Sequence, residues 1–90
     1  MNKEFQQEKI NDLYNLLADI STPEDCEALL ADLCTEREIE KMAERIYAAR
    51  QLLKGKTYNE VIKQTDISSA TLSRVSRCVQ YGRGYSKFLK

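Results

Sequence analysis

Apolar residues recur at helical spacing in several separate stretches of the chain, with polar and charged residues between them. The first stretch predicts a helix from about Asn2 to Ala18, with its apolar positions along one face: Phe5, Ile10, Leu13, Tyr14 and Leu17. Thr22 as N-cap and Pro23 at the first helical position predict the start of a second helix, which ends near Asp32 to Cys34. These patterns indicate an all-α protein of about six helices.

A longer apolar pattern follows in the middle of the chain. Thr35 and Glu38 predict a capping box at the start of a third helix, which ends near Lys54 with Gly55 as its left-handed C-cap. Two glycines near the C-terminus precede a final short turn that we expect over Tyr85–Lys90.

Residues Thr57–Arg77 have the spacing of a helix-turn-helix. Thr57 and Glu60 predict a capping box for a short helix, and Ile67 is a single apolar residue in the break before the second helix, which Ser68 caps. The second helix then has three inward-facing apolar positions: Leu72, Val75 and Val79. Its outward positions hold small, hydroxyl and basic side chains: Ser69, Ala70, Thr71, Ser73, Arg74 and Arg77. Such a face suits a helix that enters the DNA major groove, although a solvated helical hairpin has the same spacing.

Composition narrows the range of functions. Ninety residues correspond to one small domain, residues 1–90, for which stability that depends partly on a partner chain is plausible. The chain has no histidine, and we see no metal-ligand cluster, phosphate loop or paired carboxylates, so we predict that it is not an enzyme. The three cysteines (Cys26, Cys34 and Cys78) have no metal-binding spacing and indicate reduced thiols. No signal peptide or membrane span is evident, and we expect a cytoplasmic protein.

Charge is distributed unevenly although the total is zero. Residues 1–44 hold four basic and twelve acidic side chains, a net charge of −8, and residues 45–90 hold ten basic and two acidic ones, a net charge of +8. The basic half contains the predicted helix-turn-helix, where DNA binding would require phosphate neutralisation. Attraction between the two halves is the alternative explanation.

The segment Leu52-Leu53-Lys54-Gly55 together with Ala70-Thr71-Leu72-Ser73-Arg74 resembles the Trp repressor superfamily, and most closely its small Trp repressor-related branch. The resemblance covers roughly residues 30 to 80. It implies an interwoven homodimer whose first, second, third and last helices form a shared core, with a helix-turn-helix over about residues 57–81 on each flank. It also implies a transcriptional regulator, expected to be a repressor, that binds double-stranded operator DNA.

The resemblance assigns expected DNA contacts residue by residue. The positions that read base edges correspond to Ser69, Ala70 and Ser73, and those that contact the backbone to Tyr58, Asn59 and Thr71. The remaining expected backbone contacts are basic residues nearby: Lys54, Lys56, Arg74 and Arg77. The two arginines have the further option of pairing with guanine.

The family's corepressor site is only partly matched. A threonine and two arginines that hold the indole correspond to Thr35, Arg45 and Arg74, but the glycine that makes room for the ring is Val75 here. A serine that binds the ligand's amino group corresponds to Cys78. We therefore expect a vestigial pocket that does not bind tryptophan, and no cofactor. A leucine that lines the family's pocket corresponds to Asp32, whose carboxylate could replace that of the ligand. The alternative role for the two arginines is an ordinary ion pair with acidic neighbours.

Two further departures affect the helix-turn-helix. Asp66 stands at the turn position usually held by glycine, and we expect it to adopt the left-handed conformation that aspartate tolerates. Ile62 stands where a small residue often faces the second helix. The competing interpretation of the whole chain is a helical, dimeric protein-interaction module without a direct role at DNA.

Overall fold

The computed structural model describes residues 2–89 and is all-α, as predicted. Within these residues it contains six helices and no strand: α1 (Lys3–Ala18), α2 (Pro23–Leu33), α3 (Glu36–Leu53), α4 (Tyr58–Gln64), α5 (Ser69–Tyr81) and α6 (Gly84–Phe88). None of these helices is long and apolar enough to cross a membrane. The residues fall into two compact units, an N-terminal unit up to Thr35 and a C-terminal unit from Glu36 onward. The expectation of one single domain stays a prediction.

The N-terminal unit contains α1 and α2, whose starts are fixed by their predicted sequence signals. The Asn2 side chain accepts a hydrogen bond from the Phe5 backbone N–H at 2.9 Å, and Thr22 Oγ1 accepts one from Asp25 at 3.1 Å. Pro23 occupies the first turn of α2, where its missing N–H costs nothing. Neither helix has a buried residue. The apolar face of α1 is therefore formed but uncovered.

The C-terminal unit has its own core between α3, α4 and α5. Its buried side chains are apolar and come from these helices and the turn between α4 and α5: Ala48, Ala49, Val61, Ile67, Leu72 and Val75. The adjacent alanines let α5 approach the α3 backbone closely, and α6 packs against both helices. The inward positions predicted for the second helix of the pair are confirmed for Leu72 and Val75, and Val79 packs against the same core.

Gly55 ends α3 in the predicted left-handed conformation, with a φ of +95°. The Gly55 N–H donates to the Leu52 carbonyl at 3.0 Å, and the Lys56 N–H donates to the Gln51 carbonyl at 3.1 Å. This pair of bonds is the Schellman arrangement, which satisfies carbonyls at the helix end. It redirects the chain into α4.

Two local predictions need correction. Asp66 is not left-handed, since Gly55 alone among the described residues has a positive φ. The final helix begins at Gly84, one residue before the expected turn, and ends at Phe88. Lys90, the last residue of that expected turn, lies outside the described residues.

Candidate nucleic-acid interface

The first helix of the helix-turn-helix, α4, starts with the predicted capping box. The Thr57 N–H donates to Glu60 Oε1 and the Glu60 N–H donates to Thr57 Oγ1, both at 3.1 Å. Hydrogen bonds from Thr57 to the Glu60 carboxylate, with the nearby Lys56 ammonium, hold the pKa of that carboxyl below its usual value. The ionised form of Glu60 thus stabilises the start of α4.

The turn between α4 and α5 is held by α3 instead of by a left-handed residue. The Asp66 backbone N–H donates to Glu44 Oε1 of α3 at 2.7 Å. The Thr65 hydroxyl donates to the Val61 carbonyl at 2.9 Å, and Ile67 inserts into the core. These contacts explain how aspartate serves where glycine is usual. Sequence reasoning missed Glu44, because no local pattern marks a hydrogen bond that spans 22 residues.

The second helix, α5, begins at the predicted Ser68 cap. Ser68 Oγ accepts from the Thr71 N–H at 3.2 Å and its own hydroxyl hydrogen points to Thr71 Oγ1 at 2.9 Å. Thr71 therefore accepts within the protein and keeps its hydroxyl hydrogen for an outside acceptor. A phosphate oxygen is such an acceptor, which supports the backbone contact expected of Thr71.

The expected base-reading side chains share one exposed face of α5. Ser69, Ala70 and Ser73 are all exposed, as are Arg74 and Arg77, whereas Thr71 is half-buried. Within the C-terminal unit as described, no carboxylate lies within 4.0 Å of either arginine. The two guanidinium groups are free to meet an anion.

Tyr58 links the two helices, a contact that the sequence analysis did not predict. Its hydroxyl lies 2.8 Å from the Ser69 carbonyl oxygen, to which it donates, and 3.3 Å from Ser73 Oγ. Its ring packs against the core, so the side chain is half-buried. The sequence marked Tyr58 only as an expected backbone contact beside the N-cap, and neither signal gives information about a partner on the next helix.

The remaining expected phosphate contacts lie around the start of α4. Lys54, Lys56 and Asn59 are exposed, and Lys56 Nζ lies 3.9 Å from Glu60 Oε2. An exposed ion pair at this distance is weak, so a phosphate can still compete with Glu60 for the Lys56 ammonium. Exposed basic side chains thus lie both next to the start of α4 and on α5 itself.

Four of the five residues expected in a vestigial corepressor pocket line one open groove of about 670 Å³ in the C-terminal unit. Arg45, Arg74, Val75 and Cys78 come together there, with α6 forming another wall. Val75 is only 2% exposed and belongs to the core. Thr35 belongs to the N-terminal unit, as does Asp32. The alternative role, an ion pair of Arg45 or Arg74 with a carboxylate, is not found within the described C-terminal unit.

Arg83 is a third guanidinium at this groove that sequence reasoning did not single out. It lies between Gly82 and Gly84, where the pattern indicated only a helix break. Gly82 is sterically required, because a Cβ there would lie 2.6 Å from the Cys78 carbonyl oxygen. Within the described residues no group of acidic, cysteine or histidine side chains could hold a metal ion.

Comparison with known proteins agrees with this architecture. The family model described as Trp repressor protein matches residues 7–90. An uncharacterized protein of Bacillus subtilis (strain 168), YerC, is 39% identical over 74 residues, which are 82% of this chain and 71% of that protein.

Two solved structures superpose on the chain over nearly its whole length. A candidate Trp repressor from Staphylococcus aureus gives a TM-score of 0.84 at 27% identity, covering 99% of this chain and 92% of that one. A TrpR-like protein from Eubacterium eligens gives 0.82 at 28% identity, covering 96% and 90%. The chain belongs to the Trp repressor family.

Proposed function

We propose that the protein is a sequence-specific, DNA-binding transcriptional regulator, acting as a cytoplasmic homodimeric repressor and not as an enzyme. The observation that carries this proposal is the exposed face of α5, which presents hydroxyl groups and unpaired arginines. Ser68 caps this helix, and Glu44 of α3 holds the turn before it. Family membership and the names of the solved relatives support it.

The proposed mechanism has two stages. The basic C-terminal half first attracts the phosphate backbone and releases counterions, a step that does not depend on sequence. The exposed face of α5 then enters the major groove, where Ser69, Ala70 and Ser73 meet base edges. Asn59 and Thr71 with the surrounding lysines and arginines fix the register on the backbone. The Tyr58 hydroxyl donates to the Ser69 carbonyl and has no hydrogen left for a phosphate.

Selection from a pool of random duplexes with the full chain tests this function. We expect an enriched palindrome whose half-sites lie about one helical turn, roughly 34 Å, apart. Binding should weaken steeply as salt rises. If no duplex binds more tightly than about 10 μM at low salt, where even non-specific binding is expected, the competing function of a protein-interaction module replaces this one.

Three variants separate the roles within the interface. Arg77→Ala should weaken binding to all sequences alike and lower the salt slope by about 1 per protomer, because it removes a phosphate contact. Ser69→Ala should instead alter preference at one base pair of each half-site. Lys3→Ala is the matched control, since it removes one positive charge from the acidic half and should leave binding unchanged.

The homodimer is proposed because the apolar face of α1 is exposed among the residues that the structure describes. Leu13, Tyr14 and Leu17 are 37%, 62% and 40% exposed, and no residue of α1 or α2 is buried. Burying such side chains is worth about 1.5–3 kcal/mol each, a large gain for a chain of this size. A second copy with a two-fold axis would also present two copies of α5 to successive major grooves.

We further propose that tryptophan is not the corepressor. The groove is open, but Val75 stands in its wall where the resemblance expects the glycine that makes room for the ring, and its side chain belongs to the core. Overpacking at such a position costs roughly 1–3 kcal/mol. Calorimetry should detect no micromolar binding of tryptophan, and an observed affinity in that range would restore it as an effector.

A further inference from the structure

The hydroxyl of Tyr58 is already committed as a hydrogen-bond donor. It lies 2.8 Å from the carbonyl oxygen of Ser69, an atom that only accepts. A phenol has one hydrogen, so the same hydroxyl is not able to donate to a second partner. The ring is held against the core, which fixes where the oxygen lies.

This commitment determines the direction of the contact between Tyr58 and Ser73. Their oxygens lie 3.3 Å apart, and of the two only Ser73 has a hydrogen left to give. The Ser73 hydroxyl therefore donates to the Tyr58 oxygen. Its lone pairs are what remains for any partner outside the protein, since Ser73 is exposed.

The two outward hydroxyls in the first half of α5 consequently differ in what they can offer an outside partner. Thr71 accepts from Ser68 inside the protein and presents a hydrogen outward. Ser73 donates to Tyr58 inside the protein and presents an acceptor outward. Thr71 keeps its hydrogen and a second lone pair, so it retains both roles, whereas Ser73 has lost the donor role.

Resting on the DNA-binding function proposed above, we propose that Tyr58 is a positioning residue that sets base preference by holding Ser73 as an acceptor. The donors that bases offer in the major groove are the amino groups of adenine (N6) and cytosine (N4), whereas guanine and thymine offer acceptors at the corresponding positions. Ser73 therefore selects an amino base on the strand that it faces.

The test uses the full chain and the duplex enriched from the random pool. Loss of preference in Ser73→Ala identifies the base pair that Ser73 faces, and a base analogue lacking the exocyclic amino group is then placed there. Wild-type binding should weaken about five- to tenfold on this analogue, the effect of one hydrogen bond. Ser73→Ala should change less than about twofold on the same analogue.

Tyr58→Phe provides the decisive comparison. It removes the acceptor for the Ser73 hydrogen, so Ser73 regains both roles and should tolerate amino and keto bases within about twofold at this one pair. Preference at the other pairs should persist. Ser69→Ala is the matched control, because it changes preference at its own pair and keeps the amino preference opposite Ser73.

The outcomes are distinguishable. If Tyr58→Phe weakens binding uniformly and keeps the amino preference, Tyr58 is only a backbone contact and the proposal is wrong. If the wild-type protein prefers guanine or thymine opposite Ser73, the proposal is wrong, and this outcome needs no Tyr58 variant. The proposal therefore remains testable even if circular dichroism shows that Tyr58→Phe does not fold. If no duplex binds the wild-type protein, DNA binding itself fails instead.

Discussion

Single residues at the ends of helices set the direction of the chain, and Gly55 is the clearest case. Its φ of +95° lies in a region where side chains are strained, although a Cβ there would meet no atom within 4 Å. We expect Gly55→Ala to lower the free energy of unfolding by about 1–2 kcal/mol through backbone strain alone. Urea denaturation measures this loss.

Gly84 is the matched control for that substitution. It also has open space where a Cβ would lie, but its φ is not positive. Gly84→Ala should therefore be neutral or stabilise by up to about 1 kcal/mol, because alanine restricts the unfolded chain. Equal losses at both positions would show that space, not φ, is limiting.

Glu60 predicts an acid-dependent contribution to stability. Because its pKa is lowered in the folded protein, chiefly by hydrogen bonds from Thr57, its contribution is present above the unfolded pKa near 4.5 and is lost as the pH falls through the folded value. A carboxyl titration by NMR should give a midpoint below 4.5 for Glu60.

Glu60→Gln keeps an acceptor for the Thr57 N–H but removes the charge. Thermal unfolding of this variant should depend less on pH between about 3 and 5 than that of the wild type. If the thermal stability of the variant depends on pH as that of the wild type does, other carboxyl groups determine the loss of stability in acid.

At residue scale, the sequence predicted contacts that are local and missed those that are not. The capping residues Thr57 and Ser68 were identified correctly because their partners lie three positions away. Asp66 was assigned the wrong backbone conformation because its partner Glu44 lies on a distant part of the chain. The Tyr58 contacts were missed for the same reason, since they span 11 and 15 residues.

At the scale of elements, the helix-turn-helix depends on α3 for the position of its turn. Glu44 is the acceptor for the Asp66 N–H, so Glu44→Ala should lower the free energy of unfolding by about 0.5–1.5 kcal/mol. Hydrogen exchange at the Asp66 amide should also become faster. Glu40→Ala, one turn earlier on α3 and exposed, is the control and should stay within about 0.5 kcal/mol of the wild type.

The elements themselves were predictable because each start and stop has a chemical signature. Apolar spacing and caps identified α2, α4 and α5 to within a residue or two, and the inward positions of α5 were correct. The start of α6 was less clear. Its first residue is a glycine, which the pattern indicated as a break.

For the whole molecule, the two structural units differ in how much core they have. The C-terminal unit has a buried apolar cluster, while neither helix of the N-terminal unit has a buried residue. Spacing along α1 predicted the helix correctly, but spacing does not identify what covers an apolar face. A covering surface from a second chain is a property of the assembly, so the dimer was inferred from the family resemblance and not from spacing.

The proposed dimer makes thermal stability depend on protein concentration. With an unfolding enthalpy of about 0.7 kcal/mol per residue over two 90-residue chains, Tm should rise by about 4 °C for each tenfold increase in concentration. A folded monomer instead has a Tm independent of concentration. Sedimentation at micromolar concentration measures the same equilibrium directly.

Leu17→Glu tests whether the uncovered face of α1 forms that dimer. Leu17 is 40% exposed, and a carboxylate there would have to be buried without a partner if a second copy packs on this face. The variant should sediment as a monomer and lose the dependence of Tm on concentration. Asn15→Glu adds the same charge to the opposite face of α1, as its helical spacing places it, and should remain a dimer. If both variants stay dimeric, the two copies meet elsewhere, because an unpaired carboxylate is too costly to leave inside an apolar contact.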